Sequence, residues 1–284
     1  MSVILPRRFV SSGFTGYIYE KTSPGIGASW SGLDIRDNGT RIYLTSAARN
    51  VGQRDLSAAW DIGTIGALTT NATIARNDLP SCRIRDDDGT QLWYLKNDLL
   101  IQRIYKWEMA TAYTIVGATT TGANSTDLTT AIITSGDAFG LSIHPDGNKG
   151  WTMDNVNTAY SNLVEFVVSP TWSAASLACA SPDCVRQRIN HSLNDRYWDM
   201  TFSDDGRYIF CSSARRLSIF ATQSPWSIVN LPEDPFYELD IEAQTSGSGT
   251  PSGVRGITVS PDLNKVYILS TSSREIYQYK KVGT

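Results

Sequence analysis

One short pattern occurs five times in this chain, and that repetition limits the possible folds more than any composition figure does. The copies are LDIRDNGTRIYLTS (33–46), CRIRDDDGTQLWYL (82–95), LSIHPDGNKGWTMD (141–154), MTFSDDGRYIFCSS (200–213) and ITVSPDLNKVYILS (257–270). Aligned on the bend, they bring Gly39, Gly89, Gly147, Gly206 and Leu263 to one position, in steps of 50 to 59 residues. Each copy reads as two strands whose period-2 alternation turns one side toward a core. Asp-Gly or a similar pair at the bend supplies the positive φ of a tight hairpin. In the fifth copy, Asp262-Leu263-Asn264, the expectation is that Asn264 takes the left-handed conformation.

A third strand follows each hairpin: NVGQRDLS, RIYKWEMA, NLVEFVVS, RLSIFATQ and EIYQYKKV. In four copies a short tail then carries an aromatic residue: Trp60, Tyr113, Trp172 and Trp226. The chain ends before a fifth tail. A further strand precedes each hairpin, at 17–22, 72–76, 130–134, 186–190 and 237–241. Four strands per unit and five units predict an all-β fold, a five-bladed β-propeller filling residues 1–284 as one domain, with 1–16 as an N-terminal extension. The lone first strand and the last three strands complete one blade if the N-terminal strand joins 255–281, which closes the ring and removes an open edge. The alternative is an open or six-bladed ring with residues 1–32 as a degenerate blade.

Bulk properties narrow the function classes. A net charge of -3 gives no general attraction for nucleic acid. No apolar run reaches the ~20 residues of a membrane helix, and MSVILPRRFV lacks the pattern of a secretory leader. Cys82 and Cys211 lie in strand-like runs and read as core residues, while Cys179 and Cys184, in CASPDC, could close a short loop if oxidised. Without a CxxC pair, a zinc site has no support.

The repeat as a whole resembles one found in propeller-like proteins of bacteriophages and environmental bacteria. The resemblance rests on Asp37, Gly39, Tyr43, Leu56, Ser57, Trp60 and Asp61 in the first copy and on EIYQY at 275–279. It is looser in the second copy, where Tyr113 stands in place of Trp. For phage members it implies a propeller with a virion or tail-associated role and does not imply an enzyme.

Each candidate site has a structural counterpart. Asp86-Asp87-Asp88-Gly89 offers hard oxygen donors for calcium, but it aligns with the bends RDNGT, HPDGN, SDDGR and SPDLN and reads as a turn. No metal and no cofactor are expected. His144 and His191 are too few for a three-ligand site. Trp60, Tyr113, Trp172 and Trp226 repeat at one position, which points first to packing between blades. The functional alternative is a ring of pockets that stack sugar faces on aromatics. The non-repeated Trp30 and Tyr197-Trp198 are the other binding candidates. Asp34, Asp137 and Asp199 would serve a glycosidase if they met at the central channel. The leading expectation is a non-enzymatic structural and binding propeller of a bacteriophage virion, in the tail or on the capsid surface. It would be made in the host cytoplasm, present in multiple copies in a symmetric assembly, and partnered by other virion proteins and a host surface glycan. A lectin-like propeller and a glycosidase are the alternatives.

Overall fold

The computed structural model describes residues 14–27, 30–46, 50–71, 81–85, 88–97, 102–118, 125–127, 137–169, 177–178, 185–191, 195–244 and 253–283. They form a five-bladed β-propeller of antiparallel sheets. Blade 1 holds β2 (Trp30–Arg36), β3 (Arg41–Ser46), β4 (Val51–Leu56) and β5 (Ile65–Asn71). Blade 2 holds β6 (Ser81–Ile84), β7 (Gln91–Asn97), β8 (Gln102–Glu108) and β9 (Ser125–Asp127). Blade 3 holds β10 (Asp137–Ile143), β11 (Lys149–Asn155) and β12 (Tyr160–Val168). Its outer edge comes in two pieces, β13 (Leu177–Ala178) and β14 (Arg186–Asn190), which both pair with β12. Blade 4 holds β15 (Tyr197–Phe202), β16 (Tyr208–Ser213), β17 (Arg216–Ala221) and β18 (Tyr237–Asp240).

Blade 5 contains β19 (Val254–Val259), β20 (Lys265–Ser270) and β21 (Glu275–Lys281). Its fourth strand is β1 (Tyr17–Thr22) from the other end of the chain, paired from Tyr17 with Lys281 to Thr22 with Tyr277. The ring therefore closes as the repeat count requires. The strand that precedes a hairpin in sequence is bonded to the third strand of the hairpin before it, as β14 is to β12 and β18 to β17. The outer strands expected at 72–76 and 130–134 lie outside the described residues; β5 and β9 occupy the outer edges of their blades.

Apolar alternation converts into five core clusters, each shared by two neighbouring blades. Each contains the aromatic of a second hairpin strand, Phe210, Trp93, Trp151, Tyr267 or Tyr43, all with no exposed surface. The bend glycines Gly39, Gly89, Gly147 and Gly206 have φ between 62° and 82°. The fifth bend corrects the expectation, because Leu263 takes the positive φ of 59° rather than Asn264. Its side chain packs against the blade 4–blade 5 core, and this contact offsets a left-handed cost of about 1–2 kcal/mol.

Candidate functional site: the ring axis and its mouth

The five innermost strands, β2, β6, β10, β15 and β19, carry Gly32, Ser81, Gly140, Asp199 and Gly256 at equivalent places. Crowding explains the three glycines. A Cβ on Gly140 would lie 2.8 Å from the Met200 nitrogen, and one on Gly256 2.9 Å from the Leu33 nitrogen. Two residues further on, each strand has a polar side chain between two apolar ones: Asp34, Arg83, Ser142, Thr201 and Thr258.

Three charged groups at this level tie the inner strands together. Arg83 donates to the Leu33 carbonyl (3.0 Å), to the Met200 carbonyl and to the Ile257 carbonyl (3.4 Å), and pairs with Asp199 at 3.3 Å. Asp199 also accepts from the Ser81 hydroxyl (2.8 Å) and from the Met200 and Ile257 amides (2.9 and 3.0 Å). Asp34 accepts from the Ile84 amide (2.8 Å), the Thr258 hydroxyl (3.3 Å) and Arg36 Nε (3.2 Å). Burial pushes the Asp199 carboxyl up to about 6, against the pull of the Arg83 guanidinium and its hydrogen bonds. Ions so far from water persist only when paired and bonded in this way. Asp34 and Asp199 have no exposed surface, and Arg83 has 3%.

This geometry bears on the three carboxylates considered for glycoside cleavage. Asp34 and Asp199 reach the axis but are engaged there, Asp34 by the Ile84 amide, Thr258 and Arg36, and Asp199 by strand amides, Ser81 and Arg83. Asp137 lies at the exposed start of β10. The three do not share one solvent-filled cleft.

The mouth where the inner strands begin is different. Register shifts in β2, β15 and β19 bracket Ser31, Trp198 and Arg255, and bulges of this kind re-aim side chains. The Arg255 guanidinium lies 3.4 Å from the centroid of the half-buried Trp198 ring. Phe139 meets the same indole edge-on at 4.9 Å. Among the described candidates, Trp198 is thus the one placed at the mouth of the axis. Its neighbour Tyr197 points into the core, 1% exposed, with its hydroxyl donating to the Asn190 carbonyl (3.1 Å). Trp30 is also 1% exposed, and its Nε1 donates to the Ile26 carbonyl.

The tail aromatics form a repeated joint. Trp60, Tyr113 and Trp226 have φ of 57–58°, and each ring covers its own bend glycine. Their amides donate to the Gly39, Gly89 and Gly206 carbonyls at 2.8, 2.7 and 2.9 Å. The blade behind then grips the tail. Tyr267 and Lys265 donate to the Trp60 carbonyl (2.7 and 2.9 Å), and Gln278 accepts from the Ile62 amide. One junction on, Tyr43 and Arg41 hold the Tyr113 carbonyl, and Gln53 holds the Ile115 amide. Lys149 holds the Trp226 carbonyl at 2.6 Å, and Trp151 stacks on the Trp226 ring at 5.8 Å. Trp172 lies outside the described residues.

The remaining candidates resolve into local structure. Asp88 accepts from the Thr90 amide (2.8 Å) and hydroxyl (2.7 Å), as a turn residue does; Asp86 and Asp87 lie outside the described residues. Among the described residues, no group of three His, Cys, Asp or Glu is placed to hold a metal ion. His144 Nδ1 accepts from the Asp146 amide. His191 is buried between Ser161 Oγ (2.6 Å) and the Thr158 carbonyl (3.0 Å), and burial lowers its pKa. Ser161 has no exposed surface, so this Ser–His contact offers no nucleophile to a substrate. Cys82 and Cys211 are buried free thiols; Cys179 and Cys184 lie outside the described residues. No described helix is long and apolar enough to cross a membrane.

No protein-family model matches the chain, and no curated protein does. Among solved structures, the chain is similar to the β-propeller domain of Cps50 (Swd1) from Myceliophteria thermophila. The identity is 11%, the TM-score 0.42, and the match covers 90% of this chain and 65% of that one. It is also similar to a functionally unknown protein from Desulfotomaculum acetoxidans, at 15% identity and TM-score 0.44, over 86% of this chain and 64% of that one. The chain thus spans less than two thirds of either, and neither likeness carries an argument about activity or partners.

Proposed function

We propose that the chain is a non-enzymatic binding propeller, a structural component of a bacteriophage particle in its tail or on its capsid surface. It presents rim loops for docking or host attachment. The observation that supports the non-enzymatic part is the filled axis: Arg83 bonds to inner strands of three other blades, and the axial carboxylates Asp34 and Asp199 are buried and engaged rather than open to a glycoside. With Trp60, Tyr113 and Trp226 committed to blade joints, recognition is left to the rims. Loops on a closed, rigid ring vary without disturbing it. The particle location rests on the resemblance of the repeat, from Asp37 to Asp61 and at 275–279, to phage propeller proteins.

The test is antibody labelling. An antibody against the folded chain, applied to particles from a lysate of the source culture and imaged by negative stain, should decorate tails or capsids. Unlabelled particles, with the chain free in the supernatant, would overturn the virion assignment.

A second reading, glycan binding, is favoured by Trp198 at the axial mouth, where an indole stands beside a guanidinium. Trp198→Ala should then abolish binding to bacterial surface glycans, and Trp60→Ala in a chain that stays folded should leave it intact. Equal binding by wild type and Trp198→Ala would exclude this mouth as the glycan site.

A further inference from the structure

Among the described residues, one buried polar atom at the axis finds no partner. The Nη atoms of Arg83 are taken by carbonyls and by Asp199, but its Nε donates to nothing. A buried N–H left in that state is costly. The same side chain lines a cavity of about 20 Å³ near the hairpin-turn end of the axis, together with Arg36, Arg85, Ser142, Trp93 and Ile143. That volume holds a single water-sized or halide-sized sphere.

The chemistry of the lining decides between those occupants. Guanidinium groups donate and never accept. The Trp93 Nε1 is engaged by Gln91 at 3.2 Å, and isoleucine offers neither donor nor acceptor. Among the lining side chains, only the Ser142 hydroxyl can accept. A water there would receive hydrogen bonds readily but find one side-chain oxygen for its two protons. An anion needs donors only. Among the described residues, the carboxylates nearby are Asp34 on Arg36 (3.2 Å), Asp199 on Arg83 (3.3 Å) and Asp88 on Arg85 (3.1 Å), with Asp204 close to Arg36. None of them lines the cavity.

We infer that this cavity is a binding site for one small monovalent anion of halide size. Arg83 Nε, the Arg36 and Arg85 guanidinium groups and the Ser142 hydroxyl hold it. The anion would join inner strands of blades 1, 2 and 3 at the end of the ring away from Trp198, acting as a structural pin.

The test compares thermal unfolding in sodium chloride and sodium gluconate at fixed ionic strength and pH. The melting temperature should rise by about 2 °C for each tenfold increase in chloride above its Kd. Arg85→Gln should lose most of that increment; Ser142→Val is the second variant, should Arg85→Gln fail to fold. Crystals grown in bromide should show an anomalous peak within hydrogen-bonding reach of Arg83 Nε. Identical melting in the two salts, an undiminished increment in the folded variant, or no bromide signal beside Arg83 would each overturn the inference.

Discussion

Blades 1 and 5 solve the same packing problem with different pieces of chain. In blade 1 the bend is Gly39, and the Trp60 ring lies on it so closely that a Cβ would come within 2.2 Å of the indole. Among the described residues of blade 5, no tail aromatic covers the bend. Leu263 fills the space from the bend itself, and the Tyr17 hydroxyl of the N-terminal strand donates to its carbonyl at 2.8 Å. Tyr17 also lies 6.3 Å from Phe210, the buried aromatic of the blade behind. Phe14 extends this contact to Tyr208, Phe236 and Tyr237. The difference shows that β1 does two jobs: it supplies the fourth strand of blade 5, and it supplies the aromatic that blades 1, 2 and 4 take from their tails.

Removing residues 1–22 should break this arrangement most severely. It strips the outer strand and the aromatic from blade 5 together, and we expect loss of the cooperative thermal transition and association through the bared β21 edge. Circular dichroism and size-exclusion chromatography would record both. Trp60→Ala attacks the equivalent joint in blade 1 without touching a strand. It should cost about 3 kcal/mol in urea unfolding, the low end for a large aromatic because the ring is only partly buried. Gly39→Ala keeps the ring but forces a Cβ into it at a φ of 82°, with an expected loss of about 2 kcal/mol. Leu263→Gly is the counterpart in blade 5. It relieves a positive φ and forfeits a partly buried side chain, so the two terms of about 1–2 kcal/mol nearly cancel. A large loss at Leu263 would mean that its packing, rather than Tyr17, dominates the fifth joint.

The hairpins and third strands were legible because apolar alternation and bend glycines recur in every copy. The outer edges of blades 1 and 2 were not. Strand β9 is Ser-Thr-Asp, with no apolar residue, and β5 carries Gly66 and a largely exposed face. Outermost strands are pinned by one neighbour and need little core signal. The fifth bend misled because Asn tolerates positive φ better than Leu, and local propensity gave way to a core contact. The axial plug was missed because an arginine in an alternating strand reads as solvent-facing. A signal was available in the aligned copies: small residues at Gly32, Ser81, Gly140 and Gly256, then a polar residue between two apolar ones. Of the candidate site residues, Trp198 gave no repeat signal, and only its bulge places it at the mouth.

The most direct test of the closed ring is native-state hydrogen exchange along β1. Amides bonded to β21, from Tyr17 to Thr22, should exchange only through global unfolding, with the protection and denaturant dependence found in β3. Exchange of β1 at a lower free energy than β3, insensitive to denaturant, would show that the N-terminal strand frays independently and that the ring is not closed by it.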